Sequence, residues 1–119
     1  MATILLKRAY DDPESGDGMR VLVDRLWPRG VKKEDAKVDV WLKDAAPSGE
    51  LRKWFDHDPD KWAEFRKRYI KELGDHKDAL HDVLDRAKGK PLTLVFGAKD
   101  VEHNNAVVLK EYLVKLKQH

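Results

Sequence analysis

Two short polar clusters hold the residue types that can do chemistry: Asp24, Arg25, Trp27 and Arg29 in one, and Asp100, His103, Asn104 and Asn105 in the other. Arg25 and Arg29 carry planar guanidinium forks that grip a carboxylate or phosphate through two parallel hydrogen bonds, where a lysine supplies only a point charge. Asp24 and His103 are the candidate acid or base, the imidazole because it titrates near neutral pH. Asp100 and the two asparagines would orient a ligand or the histidine, and Trp27 would stack on a ring. Each also has a plainer reading. Asp24 can pair with Arg25 or Arg29, Asp100 can cap the last helix, His103 can sit solvated in a first helical turn, and Trp27 can belong to the core.

These clusters need elements that bring them together. Residues 4–6 and 21–23 are short apolar runs with β-branched content and read as buried strands, and residues 91–96 form the most hydrophobic strand of the chain. Such a run is buried on both faces, as in central parallel strands covered by helices. Between the first two strands, residues 11–18 contain no apolar side chain and several turn formers, so no crossover helix is expected there. The first strand is therefore either antiparallel or an edge. Val38, Val40 and Leu42 alternate with Asp39, Trp41 and Lys43 and read as a strand or an extended connector, and residues 31–37 as at most one helical turn.

Helices fill the middle and the end. Ser48 is placed to cap a short helix holding Leu51, Trp54 and Phe55, and Asp58 with Pro59 opens a longer one in which Trp62, Phe65, Tyr69 and Leu73 recur at helical spacing up to Gly74. Leu80, Val83, Leu84 and Ala87 predict another helix ending at Gly89, and Ala106, Leu109, Leu113 and Leu116 a C-terminal one. The fold class is α/β: a small single domain over residues 1–119 with a short, mostly parallel central sheet flanked by helices. If the second and last strands are parallel, their carboxyl ends share one edge of the sheet, and both polar clusters meet where open α/β sheets bind ligands, at the start of the last helix.

Composition removes several function classes. With 119 residues, 24 Lys+Arg against 22 Asp+Glu and a net charge of +2, the chain is long enough for one core and too balanced in charge for a strongly basic nucleic-acid module. It has no cysteine, hence no disulfide, thiolate nucleophile or sulfur-liganded zinc, which fits a cytoplasmic protein. No apolar stretch approaches a membrane span and residues 1–6 lack a signal-peptide pattern, so no membrane partner is expected. No dinucleotide fingerprint or phosphate loop is present, and no cofactor is expected. Asp56, His57 and Asp58 with Asp24, Asp100 and His103 lack the spacing of a metal site, so no metal is expected, and Ser48 lacks a nucleophile elbow.

A second surface competes with the cluster reading. Arg29, Lys32, Lys33, Arg52 and Lys53 interleave with Trp27 and Trp54 in the manner of a single-strand nucleic-acid surface, where rings stack on bases and cations meet phosphates. A purely structural partner protein, monomeric or weakly dimeric, is the third reading.

The block Arg20-Val21-Leu22-Val23-Asp24-Arg25-Leu26-Trp27-Pro28-Arg29-Gly30, with Trp41-Leu42-Lys43, Pro47-Ser48, Leu51-Arg52, Ala98-Lys99-Asp100 and His103-Asn104-Asn105-Ala106, resembles the YeaO-like family of the domain of unknown function 488 group. The resemblance covers nearly the whole chain. It implies an intracellular bacterial or archaeal protein with a small α/β fold and no established biochemical activity. More distant members place an Asp-Val-Arg segment after one strand and a Cys-His-Arg segment near another. Val23-Asp24-Arg25 corresponds to the first, whereas only His103 stands near the second and the cysteine is absent. The reaction stays unnamed, and the expected function is binding of a small anionic or phosphate-bearing ligand in a polar pocket at two strand ends.

Overall fold

The computed structural model describes residues 3–117. Four strands, β1 (Ile4–Arg8), β2 (Met19–Leu22), β3 (Val40–Trp41) and β4 (Leu92–Phe96), form one sheet in the order β1-β4-β2-β3. Every pairing is parallel, with Val21 opposite Leu94 and Leu6 opposite Leu94 on the other side. The α/β class expected from the sequence is what the chain adopts. Of the two readings left open for the first strand, it is the parallel edge. The alternating segment around Val40 is a two-residue strand at the opposite edge.

The helices are α1 (Lys33–Ala36, a single turn), α2 (Gly49–Phe55), α3 (Trp62–Leu73), α4 (Lys77–Ala87) and α5 (Asn105–Lys117). Ser48 caps α2, its hydroxyl accepting the Leu51 amide at 3.1 Å. Asp58 caps as expected, but the element it opens is a 3-10 turn, Pro59–Lys61, that leads into α3. Gly74 follows the last residue of α3 in right-handed geometry and carries the chain through a further 3-10 turn into α4.

All five residues of β4 are buried, as its composition requires, but its two faces are covered by different things. On one face Val21, Leu92, Leu94 and Phe96 join the main core beneath the helices, with Phe65, Tyr69, Leu80, Leu109 and Leu113. On the other, Leu22 and Val95 lie under Trp27, Val31 and Val38. This second face also carries Lys7, Arg20 and Thr93, and the connection from β1 to β2, which has no α-helix and only a 3-10 turn at Ser15–Asp17, folds over them. Asp17 receives Arg20 at 2.6 Å and Lys7 at 3.2 Å, and its carbonyl accepts the Thr93 hydroxyl at 2.7 Å. Burial pushes the Asp17 carboxyl up, but the Glu14 amide and the two cations outweigh it and hold it below the usual carboxylate range. A polar loop thus does the work of a crossover helix by bringing its own charge partners.

Candidate functional site

Parallel pairing of β2 with β4 puts the carboxyl ends of both strands on one edge, and a cleft of about 580 Å³ opens there. That volume lies in the range of small-molecule sites, which run from about 300 to about 1,000 Å³. Asp24, Arg25, Trp27 and Arg29 line it from the exit of β2, His103 and Asn104 from the segment between β4 and α5, and Asn105 from the first position of α5. The two clusters separated by some 80 positions in the sequence are therefore one site. Asp100 is the exception: it is not part of the lining and acts on His103 from behind.

Asp24 is half-buried and pairs with neither Arg25 nor Arg29. Its carboxylate accepts the Gly97 amide at 2.8 Å and the Asn105 side-chain amide at 3.1 Å, while its own carbonyl accepts the Trp41 indole N–H at 2.7 Å. Burial raises the Asp24 carboxyl above its ordinary value by more than the Gly97 amide, Asn105 and the Arg52 charge lower it. Asn105 also donates to the Val23 carbonyl at 2.9 Å, tying the first residue of α5 to the end of β2.

The capping reading of Asp100 is corrected by the structure. Asp100 accepts the Glu102 and His103 amides at 2.9 and 3.0 Å and so closes a turn ahead of the helix. These amides, with His103 beside them, hold its carboxyl below the usual range. The cap of α5 is Asn104, whose side-chain oxygen accepts the Val107 amide at 3.1 Å while its amide donates to the Asp100 carbonyl at 2.9 Å. Asp100 also meets the His103 Nδ1 at 3.0 Å, and the imidazole packs edge-on against Trp62 with ring centroids 5.2 Å apart. When Nδ1 carries the proton toward Asp100, Nε2 is left as an acceptor on the cleft side.

The opposite wall comes from α2 and the turn after it, and sequence reasoning had not assigned it to this site. Arg52, Lys53, Asp56 and His57 line the cleft, with Phe55 and Phe65 stacked at 4.3 Å. Asp56 and His57 both adopt left-handed backbone, at φ 48° and 56°, which turns the chain sharply after α2. This wall is fixed from α3. Tyr69 donates to the Ala45 carbonyl at 2.6 Å, and Glu72 receives both the Ser48 amide and the Ser48 hydroxyl. The Pro47 carbonyl between them accepts the Arg25 Nε at 3.3 Å.

The residues of the alternative basic surface separate in space. Arg29, Arg52, Lys53 and Trp27 line the cleft, whereas Lys32 and Lys33 lie exposed at the start of α1. Trp54 faces a different groove, with the Arg68 guanidinium 4.2 Å and the Lys61 ammonium 5.3 Å from its ring. Trp27 stands edge-on to Trp41 at 5.5 Å and donates to the Val31 carbonyl at 2.6 Å, so it belongs to the second core and to the cleft wall at once.

Apart from the His103–Asp100 contact, ion pairs among the described residues lie elsewhere: Lys7 with Glu14 and Asp17, Arg20 with Asp17, Arg66 with Glu111, and Arg68 with Glu64. Among the described residues, Arg25, Arg29, Arg52 and Lys53 have no carboxylate within ion-pair distance. Among the described residues no group of three His, Cys, Asp or Glu side chains converges as a metal site, and no helix is long and apolar enough to cross a membrane.

Comparison with known proteins gives a consistent picture. Residues 3–119 match the model of the family described as the inactive DUF488-N3 subclade. The chain is 47% identical over 113 residues to the uncharacterized protein YeaO of Escherichia coli, covering 95% of this chain and 98% of that one. It is 41% identical over 111 residues to the uncharacterized protein Mb3100c of Mycobacterium bovis, covering 92% of each. No solved structure matches.

Proposed function

The chain belongs to the inactive DUF488-N3 subclade, within the YeaO-like family, and from that premise we propose that it binds a small anionic or phosphate-bearing ligand in the cleft. The observation that carries this reading is charge: three guanidiniums and an ammonium, from Arg25, Arg29, Arg52 and Lys53, outnumber the Asp24 and Asp56 carboxylates around one cavity, and among the described residues none of the four has a carboxylate within ion-pair distance. Cations lining a concave low-dielectric wall raise the local concentration of anions and bind them through charge-assisted hydrogen bonds.

The two candidate proton carriers take different parts in this reading. Both Asp24 carboxylate oxygens already accept protein hydrogen bonds, so Asp24 shapes the floor and holds Gly97 and Asn105 in place. His103 is held through Nδ1 by Asp100, and its Nε2 serves an anion as a donor only in the form that carries protons on both nitrogens. The word inactive in the family's description is in keeping with binding without turnover.

Titration calorimetry with inorganic pyrophosphate tests the reading. The wild type should bind, and Arg25→Ala and Arg52→Ala should each weaken binding by about tenfold or more, the size of one charge-assisted hydrogen bond, with an unchanged thermal midpoint. No binding by the wild type, or undiminished affinity in both variants, would overturn it.

A further inference from the structure

The cleft is far larger than a bare inorganic anion needs, and much of its lining is apolar. Phe55 and Phe65 stack there, Pro28 and Pro47 are also part of the lining, and so are the exposed Leu26 and Tyr10. Leu26 is the most exposed large hydrophobic side chain among the described residues, at 62%, and Tyr10 follows among the cleft residues at 48%. A leucine this open gains from any ligand that covers it. Tyr10 is exposed but fixed: its hydroxyl donates to the Arg29 carbonyl at 3.0 Å and the Arg8 guanidinium lies 5.0 Å from its ring. Held at its hydroxyl and covered on one face by a guanidinium, the ring offers a platform on its other face whose ordering cost was met on folding.

We infer that the ligand is an aromatic phosphate monoester, its dianion held by the unpaired cations and its flat ring laid against Leu26 and Tyr10. This deepens the anion-binding reading and rests on it. A dianion suits several cations better than a monocarboxylate does, because it carries twice the charge and three terminal oxygens that the guanidinium forks and the ammonium can share. The ring covers the apolar lining that an inorganic anion would leave wet.

Phenyl phosphate and inorganic phosphate, titrated separately into the wild type and into Leu26→Ser, decide the matter. Leu26 is exposed and outside both cores, so the variant should fold as the wild type does. The expected result is that phenyl phosphate binds about tenfold or more tighter than phosphate, and that Leu26→Ser removes most of this advantage while leaving phosphate affinity unchanged. Equal affinity for the two probes overturns the aromatic assignment and leaves the anion reading standing. An advantage that survives Leu26→Ser intact overturns the placement of the ring. Failure of both probes to bind overturns the anion reading itself, and this inference with it.

Discussion

The Asp24 carboxylate accepts the Gly97 backbone amide at 2.8 Å, so the carboxyl ends of β2 and β4 are latched by a side chain just where their backbone ladder stops. The latch leaves little room at position 97. A Cβ there would stand 3.2 Å from the Asp24 carboxylate oxygen and 3.8 Å from Pro28. Gly97→Ala should therefore cost about 1–2 kcal/mol, as overpacking of a tight contact does. Gly18→Ala should cost more, about 3 kcal/mol or above. Gly18 has φ +65° and its Cβ would fall 2.0 Å from the Pro91 carbonyl oxygen, which is backbone and cannot swing aside. Urea denaturation of the two variants checks the ranking, and a Gly18→Ala protein no less stable than Gly97→Ala would contradict it.

Asp24 should leave a signature in the pH dependence of stability. Its pKa in the folded chain is raised, chiefly by burial, so the folded state holds this proton more tightly than the unfolded state does. Stability from this group is thus fully present below the unfolded carboxylate value, about pH 4, and is lost as pH rises through the raised folded value. Asp17 and Asp100, whose values are lowered, act in the opposite sense and lose stability as pH falls. Asp24→Asn isolates the first effect. The asparagine oxygen can still accept the Gly97 amide, but its amide group then faces the Asn105 amide, at a cost of about 1–3 kcal/mol at low pH. The gap between wild type and variant should narrow as pH rises from about 4 to 7. Parallel stability curves from urea midpoints across that range would show that Asp24 does not titrate above its ordinary value.

Some of this arrangement is legible in the sequence, and the limits have physical causes. The spacing of Trp62, Phe65, Tyr69 and Leu73 locates α3, and the uncharged, mostly apolar run at residues 92–96 marks β4, because burial dictates those residue types directly. The orientation of β1 is not legible, since its return path is a loop whose signals are charges. Asp17, Lys7 and Arg20 read equally well as solvated side chains. Around the start of α5, three polar residues of similar capping power stand within five positions. Only the turn closed by Asp100 decides that Asn104 is the cap. The strand-end half of the cleft follows from where β2 and β4 stop, whereas Arg52, Lys53 and His57 reach it through tertiary packing that no local pattern encodes.

The loop that replaces a crossover helix makes a sharp stability prediction. Arg20 is buried, with Nε donating to the Ala36 carbonyl at 2.9 Å, one terminal nitrogen to Asp17 at 2.6 Å, and the other, Nη2, without a partner. Removing the carboxylate in Asp17→Ala leaves this charge buried and opposed by nothing, which costs about 3–5 kcal/mol. Arg20→Met removes the charge together with its unsatisfied nitrogen, and Asp17 keeps Lys7 and the Glu14 amide. It should therefore cost clearly less than Asp17→Ala. Equal losses in chemical denaturation would mean that the packing of the loop, and not the charge pairing, holds it to the sheet.

Asn104 should prove necessary through both ends of its side chain. The residue is 3% exposed, its oxygen caps α5 through the Val107 amide, and its nitrogen donates to the Asp100 carbonyl. Asn104→Ala loses the cap and should cost about 1–2 kcal/mol. Asn104→Asp restores the cap and adds a negative charge where the helix dipole favours one, worth about 0.3–1 kcal/mol at an exposed site. It also sets an oxygen against the Asp100 carbonyl in place of a donor, which leaves that carbonyl unpaired and repelled. The aspartate should therefore recover only part of what alanine loses. Because the Asp100 turn orients His103, both variants should also loosen the imidazole, read as a loss of NMR contacts between its ring protons and the Trp62 indole. Full recovery of stability in Asn104→Asp would show that the cap alone matters and that the bond to Asp100 does not hold the turn.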